Sequence, residues 1–170
     1  MTVRILIADD HKILREGLRS LLEKQSAFAV IAEAEDGLTA YEGVKKHKPD
    51  IAILDIGMPG LNGIEVTRKI RSEMTETRVI ALSMHADRRF VMGILEAGAN
   101  GYLLKDSAFA ELVTAVTAVA KGKTYLSPSI AETVIKSSLE KSDRGKQGSS
   151  VLLTGREREV LQMIAEGKID

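Results

Sequence analysis

The sequence predicts an α/β fold with a five-stranded, doubly wound parallel sheet. Strand-like apolar runs alternate with helix-like amphipathic stretches from residue 3 to about residue 121, giving five strand–helix units. Four of the apolar runs end on a polar side chain, which is typical of strands that lead into a ligand site. These four runs lie at residues 3–8, 51–54, 79–82 and 101–104.

The remaining elements follow from apolar spacing and capping residues. Residues 29–32 form a further short apolar run that predicts the second strand of the chain. Asn62 predicts the start of the third helix, and Gly98 predicts the end of the fourth. The five predicted helices include residues 14–22, 38–46, 64–70, 88–97 and 107–121.

A different pattern begins after Gly122. Ser127 and Pro128 predict a helix start, because serine is a favoured N-cap and proline a favoured first helical residue. That helix carries an apolar stripe at helical spacing, formed by Ile130, Val134, Ile135 and Leu139.

The C-terminal part divides into a linker and a second unit. Residues 141–150 have no apolar side chain and are rich in glycine and serine, which is typical of a flexible linker. Thr154 and Glu157 form a capping-box pattern before one further amphipathic helix, and a single helix cannot bury its own apolar face. We therefore expect a main domain at 1–121, a linker with one helix at 122–150, and a second domain cut short at 151–170.

Charge and cysteine content narrow the function classes. The chain has 24 Lys plus Arg and 24 Asp plus Glu, so its net charge is zero and a chain-wide basic footprint for nucleic acid is absent. It has no cysteine, which excludes disulfides and thiolate metal sites. No stretch of about 18 apolar residues occurs, so we expect no membrane span and a cytoplasmic location.

The polar residues at the strand ends predict a metal-dependent phosphoryl site. Asp9 with Asp10, Asp55, Ser83 and Lys105 follow four strands whose carboxyl ends share one edge of the sheet. Two carboxylates about 4 Å apart repel by about 4 kcal/mol at an effective dielectric near 20. Such a cluster must bind protons or a cation, and Mg²⁺ suits carboxylate and phosphate oxygens. Alternatively, Asp10 alone caps the following helix.

Four longer motifs resemble a known family. The stretches ILIADDH, DIGMPGLNGIEV, ALSMHAD and AGANGYLLKD, in this order, resemble the receiver domain of two-component response regulators, in the subfamily with a LuxR-type helix-turn-helix output domain. The resemblance covers residues 1–121 and implies a flavodoxin-like sheet with strand order 2-1-3-4-5. The tail LTGREREVLQMIAEGK is similar to the first helix of that output domain.

The resemblance implies roles for the residues at the strand ends. Asp55 would accept the phosphoryl group, Lys105 would pair with a phosphoryl oxygen, and Ser83 would donate its hydroxyl to another. Mg²⁺ would be held by Asp10 and Asp55, by Asp9 directly or through water, and by the backbone carbonyl of Gly57.

Three further residues enter through the same resemblance. Tyr102 would move together with Ser83 as a switch on phosphorylation. Gly57 carries no side chain near the path of an attacking water and Met84 would narrow access, so we expect these two positions to set the lifetime of the phosphoryl group.

The three histidines give weak signals. His11, His47 and His85 are not paired at ligand spacing, so we expect solvated or capping roles, with His85 nearest to the site.

The function implied is a phosphorylation-dependent transcription regulator. A sensor histidine kinase would supply the phosphoryl group, the phosphorylated form would be a homodimer, and DNA would be bound through the complete output domain. Residues 151–170 supply no recognition helix, so we expect no specific DNA binding by this chain alone.

Two other functions stay open. One is a stand-alone phosphoreceiver that acts by protein contact. The other is an aspartate-nucleophile phosphatase, which Gly57 disfavours because it lies where such enzymes carry an acid–base aspartate. We expect a receiver that phosphorylates itself and slowly loses the group, without an external turnover substrate.

Overall fold

The computed structural model of the chain describes residues 1–146 and Val160. The described part contains one six-stranded parallel sheet in the order β2-β1-β3-β4-β5-β6, with helices on both faces. The strands are β1 (Val3–Ala8), β2 (Phe28–Ala34), β3 (Ile51–Asp55), β4 (Arg78–Ser83), β5 (Gly101–Leu104) and β6 (Tyr125–Leu126). The helices are α1 (Lys12–Glu23), α2 (Gly37–His47), α3 (Gly63–Glu73), α4 (Arg88–Glu96), α5 (Ala108–Ala120) and α6 (Pro128–Lys146), with a 3₁₀ turn at Lys105–Ser107.

The predicted fold class is confirmed, and the first five strands have the expected 2-1-3-4-5 order. Alternate residues of β1 point to opposite faces of the sheet, so Ile5 belongs to one apolar cluster and Leu6 to the other. The cluster with Ile5 includes residues of α1 and α5, and the cluster with Leu6 includes residues of α2, α3, α4 and α6. β3 and most of β4 are fully buried, which matches their continuous apolar sequence.

The sheet has a sixth strand that the sequence analysis does not predict. Tyr125 N donates to Asn100 O at 3.1 Å, and Ser127 N donates to Tyr102 O at 3.0 Å. The Ser127 hydroxyl then accepts from Leu104 N at 3.2 Å, where β6 has ended. Because β6 has only two residues, it shows no readable periodicity. The sheet therefore continues beyond residue 121 into the predicted linker segment.

Helix α6 begins at Pro128, as predicted, but its apolar stripe is divided. Ile130 and Val134 are buried, whereas Ile135 and Leu139 are 40% and 61% exposed. The third position of the buried face is taken by Ser137, since residues at intervals of three and four share one side of a helix. The helix also extends to Lys146, into the stretch whose composition is typical of a flexible linker.

Contacts of α6 join it to the segment after β4. The Thr133 hydroxyl donates to Ala86 O at 3.4 Å, and Arg88 pairs with Glu140 at 3.2 Å. The predicted partial domain at 151–170, with its capping box of Thr154 and Glu157, lies outside the described residues apart from Val160. Within the part of the chain that is described, no helix is long and apolar enough to cross a membrane.

The turn after β3 is shaped by Asn62 and Gly63. The Asn62 side chain accepts from the backbone N–H groups of Ile64 and Glu65, both at 3.0 Å, so the predicted N-cap of α3 is confirmed. A Cβ atom on Gly63 would lie 2.6 Å from the Asp55 carbonyl oxygen and from Ile56 Cα. Only glycine permits this approach of α3 to the end of β3.

Candidate functional site

The carboxyl ends of β1, β3 and β5 bring three charged side chains into contact. Lys105 Nζ lies 3.1 Å from Asp9 Oδ2 and 3.0 Å from Asp55 Oδ2. The Asp9 and Asp55 side chains are 0% and 5% exposed and that of Lys105 is 8% exposed, so water screens these charges poorly. The strand-end placement thus joins residues that are up to 96 positions apart in the sequence, from Asp9 to Lys105.

The turn after β1 adds two further groups to the cluster. Asp10 is partly exposed beside the buried pair, and His11 Nδ1 lies 3.2 Å from Asp10 Oδ1 and 3.1 Å from Asp9 Oδ1. His11 N also donates to Asp9 Oδ1 at 2.8 Å, and its Nδ1 lies 3.4 Å from Lys105 Nζ. Each of Asp9, Asp10, His11 and Asp55 offers one ligand atom, all within 4.8 Å of one another.

His11 is the member of this cluster that the sequence analysis missed. Its side chain is 68% exposed, so the solvated prediction holds in part, but its ring nitrogen contacts both carboxylates. The sequence could have indicated His11 as a site residue, because it directly follows Asp10 at the same sheet edge as the other site residues.

The donor set fits a hard divalent cation. Asp9 Oδ2 is buried and accepts no hydrogen bond of good geometry, although Lys105 Nζ is 3.1 Å away. Carboxylate oxygens with free lone pairs at one point are the ligands that Mg²⁺ prefers. The cluster of Asp9, Asp10 and Asp55 is therefore able to hold a metal ion.

Burial raises the pKa of Asp55. The Gly57 N–H, which donates to Asp55 Oδ1 at 3.0 Å, and the Lys105 ammonium act in the opposite direction, while the Asp9 charge raises the pKa further. Burial by itself lowers the pKa of Lys105, but the close contacts with the Asp55 and Asp9 carboxylates and their negative charges outweigh burial, so the pKa of Lys105 is raised. The ammonium therefore stays charged at neutral pH.

Gly57 leaves the space beside Asp55 open. A Cβ atom at residue 57 would lie 3.7 Å from Asp55 Oδ1, in ordinary van der Waals contact. A larger side chain there would thus begin directly beside the carboxylate.

Ser83 and Tyr102 meet at the backbone of His85. Ser83 Oγ accepts from His85 N at 2.9 Å, and the Tyr102 hydroxyl donates to His85 O at 2.7 Å. Tyr102 is fully buried, and burial raises the pKa of its hydroxyl, with an opposing contribution from a hydrogen bond with Ser83. The imidazole of His85 stacks on Phe90, with ring centroids 4.6 Å apart, so the ring that contacts the carboxylate cluster is that of His11 and not, as expected, that of His85.

Met84 lies at the surface near the cluster. Its side chain is 62% exposed and lines an open, largely apolar depression of about 500 Å³ beside Lys105. Ile13 and Phe109, which are 88% and 51% exposed, line the same depression.

Comparison with known proteins identifies the family. Residues 5–117 match the family model of the response regulator receiver domain. The chain belongs to this family. Among its relatives, the transcriptional regulatory protein DegU of Brevibacillus brevis is 37% identical over 178 residues, an alignment that covers 97% of this chain and 75% of DegU. NarL of Mycobacterium tuberculosis is 40% identical over 166 residues, covering 98% of this chain and 75% of NarL.

Solved structures agree with this assignment. A LuxR-family two-component response regulator from Aurantimonas sp. SI85-9A1 superposes with a TM-score of 0.77 at 41% identity, covering 82% of this chain and 99% of that one. The receiver domain of NarL from Mycobacterium tuberculosis superposes with a TM-score of 0.69 at 43% identity, covering 72% of this chain and 98% of that one. The predicted resemblance to receiver domains of the LuxR-type subfamily is thus confirmed. The relatives are transcriptional regulators, which agrees with the expectation that the protein has no external turnover substrate.

Replacing Asp55 with asparagine should stabilise the metal-free receiver at neutral pH. Because the pKa of Asp55 is raised on folding, the folded state holds its proton to higher pH than the unfolded state. The free energy of unfolding therefore falls as pH rises from the unfolded value of 3.8 through the raised value, and Asp55→Asn removes this fall. We expect Asp55→Asn to be more stable than the unaltered receiver at about pH 7 and to differ little from it at about pH 3, measured by urea unfolding.

Asp36→Asn is the matched control. Hydrogen bonds from Thr39 lower the pKa of the half-buried Asp36, so its carboxylate stabilises the fold above pH 3.8 and loses that effect as pH falls. The control should thus show the opposite pH dependence. A loss of stability in Asp55→Asn at neutral pH would contradict the raised pKa.

Proposed function

We propose that the receiver accepts a phosphoryl group on Asp55 in an Mg²⁺-dependent reaction and controls transcription in this way. The observation that supports Asp55 most directly is its nearly buried carboxylate, 3.0 Å from the Lys105 ammonium and within one ligand cluster with Asp9 and Asp10. An Asp55 oxygen forms the new bond to phosphorus as the nitrogen–phosphorus bond of a kinase phosphohistidine breaks. The electron pair of that bond returns to the imidazole.

Asp9, Asp10, Asp55 and the carbonyl of Gly57 are proposed to hold the Mg²⁺ ion. When bound, the ion supplies positive charge that offsets the charge on the phosphoryl oxygens. Lys105 pairs with one phosphoryl oxygen. Its ammonium already lies 3.0 Å from the Asp55 carboxylate, and its side chain is only 8% exposed. Ser83 donates its hydroxyl to a second phosphoryl oxygen. In the described structure the Ser83 Oγ atom itself accepts from His85 N.

Acyl phosphate and Mg²⁺ should add one phosphoryl group to the intact protein. Incubation with acetyl phosphate followed by mass spectrometry should give a single adduct, which is absent with a chelator and absent in Asp55→Asn. Asp106→Asn is the matched control, because this exposed aspartate follows Lys105 and should leave the adduct unchanged. An adduct that persists in Asp55→Asn would refute the assignment of Asp55.

Ser83 and Tyr102 are proposed to convert phosphorylation into dimerisation. Both contact the backbone of His85, so a shift of the Ser83 hydroxyl towards the phosphoryl group breaks its bond from His85 N and frees the segment that also binds the Tyr102 hydroxyl. Hydrogen bonds to charged groups contribute about 1.5 to 3 kcal/mol each. The proposed product is a homodimer, because a two-fold symmetric dimer matches the two half-sites of a two-fold DNA operator.

The phosphorylated protein should sediment as a dimer, whereas Ser83→Ala should remain mostly monomeric. Loss of a hydrogen bond to a charged group should shift the equilibrium by roughly tenfold or more. Tyr102→Phe, which removes one hydroxyl, should also take up phosphate and dimerise less. Equal dimer fractions in all three proteins at equal phosphorylation, measured by analytical ultracentrifugation, would exclude this switch.

Gly57 and Met84 are proposed to set the lifetime of the phosphorylated state. The space beside Asp55 is open at residue 57, and the exposed Met84 side chain lines a surface depression together with Lys105. The proposed path of water to the phosphoryl group passes these two positions, so slow self-dephosphorylation depends on their side chains.

Gly57→Arg should slow loss of the phosphoryl group, and Met84→Ala should accelerate it. We expect changes of several-fold, where tenfold corresponds to about 1.4 kcal/mol in the barrier. Loss of the adduct after removal of the donor gives the rate, and Leu139→Ala on the exposed side of α6 serves as a control. Unchanged rates in both variants would refute the proposed access control.

The wider role follows from the relatives. We propose a sensor histidine kinase as the donor and place the exchange in the cytoplasm, because such kinases draw the phosphoryl group from ATP. The division into a receiver at 1–121, a linker at 122–150 and the start of an output domain at 151–170 is part of this proposal, and DNA would be bound by the complete output domain. The relatives named as transcriptional regulatory proteins favour this role over a stand-alone adaptor or a phosphatase.

A further inference from the structure

Arg15 has a contact to the acidic cluster that the proposed chemistry does not use. Its Nη1 atom donates to the backbone carbonyl of Asp9 at 2.6 Å, in a buried position. Arg15 is only 7% exposed, which is rare for an arginine unless it is paired. The rest of its guanidinium is held by Glu33 at 3.1 Å and by Glu35 at 3.4 Å.

This contact completes the fixation of the Asp9 backbone. Asp9 N donates to Ala34 O of β2 at 3.1 Å, and Asp9 O accepts from Arg15. The Asp9 carbonyl and the Asp10 N–H belong to one planar peptide group. The Arg15 hydrogen bond therefore sets the direction in which the chain leaves Asp9, and with it the position of Asp10.

The charge of Arg15 argues against a simple electrostatic role. A cation near a metal site lowers its affinity for Mg²⁺, unless neighbouring charges compensate. Glu33 also pairs with Arg19 at 2.6 Å through its other carboxylate oxygen, so the two arginines share one glutamate, while Glu35 adds a further negative charge. Arg15 thus brings a fixed donor to the Asp9 carbonyl within a locally compensated ion network.

We propose that Arg15 is a positioning residue for the metal site, acting through the peptide between Asp9 and Asp10. This inference rests on the proposed Mg²⁺ site. Partners of ligand residues typically change metal affinity by about 10- to 100-fold when they are removed. Positioning and charge predict opposite signs: removal of the guanidinium weakens Mg²⁺ binding if it positions the ligands, and tightens binding if its charge alone matters.

Arg19→Met is the matched control. Arg19 lies one helical turn after Arg15 and also pairs with Glu33, but within the described part of the chain its guanidinium pairs with Glu33 and Glu23 rather than with the Asp9 carbonyl. Both substitutions keep the aliphatic part of the side chain and remove an ion pair with Glu33. A merely structural role of the buried Arg15 predicts that Arg15→Met lowers thermal stability but, like Arg19→Met, leaves the Mg²⁺ affinity unchanged.

The test is Mg²⁺ titration of the full chain by calorimetry, repeated with Mn²⁺ by electron paramagnetic resonance. We expect Arg15→Met to raise the dissociation constant by about tenfold, with shifted amide resonances of Asp10 and His11, while Arg19→Met stays within about twofold of the unaltered protein. An unchanged or tighter affinity in Arg15→Met would overturn the proposal.

Arg15→Lys covers the case in which Arg15→Met does not fold. One ammonium cannot reach the two glutamates and the Asp9 carbonyl together, so we expect several-fold weaker binding, and unaltered affinity would overturn the proposal. If the unaltered protein itself binds no Mg²⁺, the metal site of the proposed function fails. If it binds Mg²⁺ and Arg15→Met binds equally well, only the role of Arg15 fails.

Discussion

The contact of one ammonium with two buried carboxylates organises this receiver. Lys105 lies between Asp9 and Asp55, which come from different strands and are nearly inaccessible to water. Two such carboxylates about 4 Å apart repel by about 4 kcal/mol at an effective dielectric near 20. The cation compensates this repulsion, yet Asp10 adds a further negative charge at the same point. A cluster built in this way retains an attraction for positive charge, which makes it suitable for holding a metal ion.

The parallel sheet explains why such a cluster can exist. Neighbouring parallel strands end at one edge, so each strand contributes its next residue to the same place without a long loop. The segment after β4 is in turn connected to the far edge of the sheet, because α6 contacts Ala86 through Thr133 and pairs with Arg88 through Glu140. The site and the last described helix thus share one backbone segment.

Much of this arrangement could be predicted from the sequence, because strand ends and polar residues coincide at Asp9, Asp55, Ser83 and Lys105. Other features depend on backbone geometry that no periodicity reveals. β6 has two residues and acquires its identity from pairing with β5. The contacts of His11 depend on its extended backbone at the start of α1, and the buried face of α6 is selected by packing.

The position of Gly63 limits which residue this chain can carry there. Its Cα lies so close to the Asp55 carbonyl that a methyl group would meet backbone atoms, which cannot rotate away as a side chain can. Any larger residue would push against the peptide that carries the proposed phosphoacceptor. Crowding by main-chain atoms therefore prevents replacement of Gly63 by a larger residue, although glycine itself supplies no chemical group to the reaction.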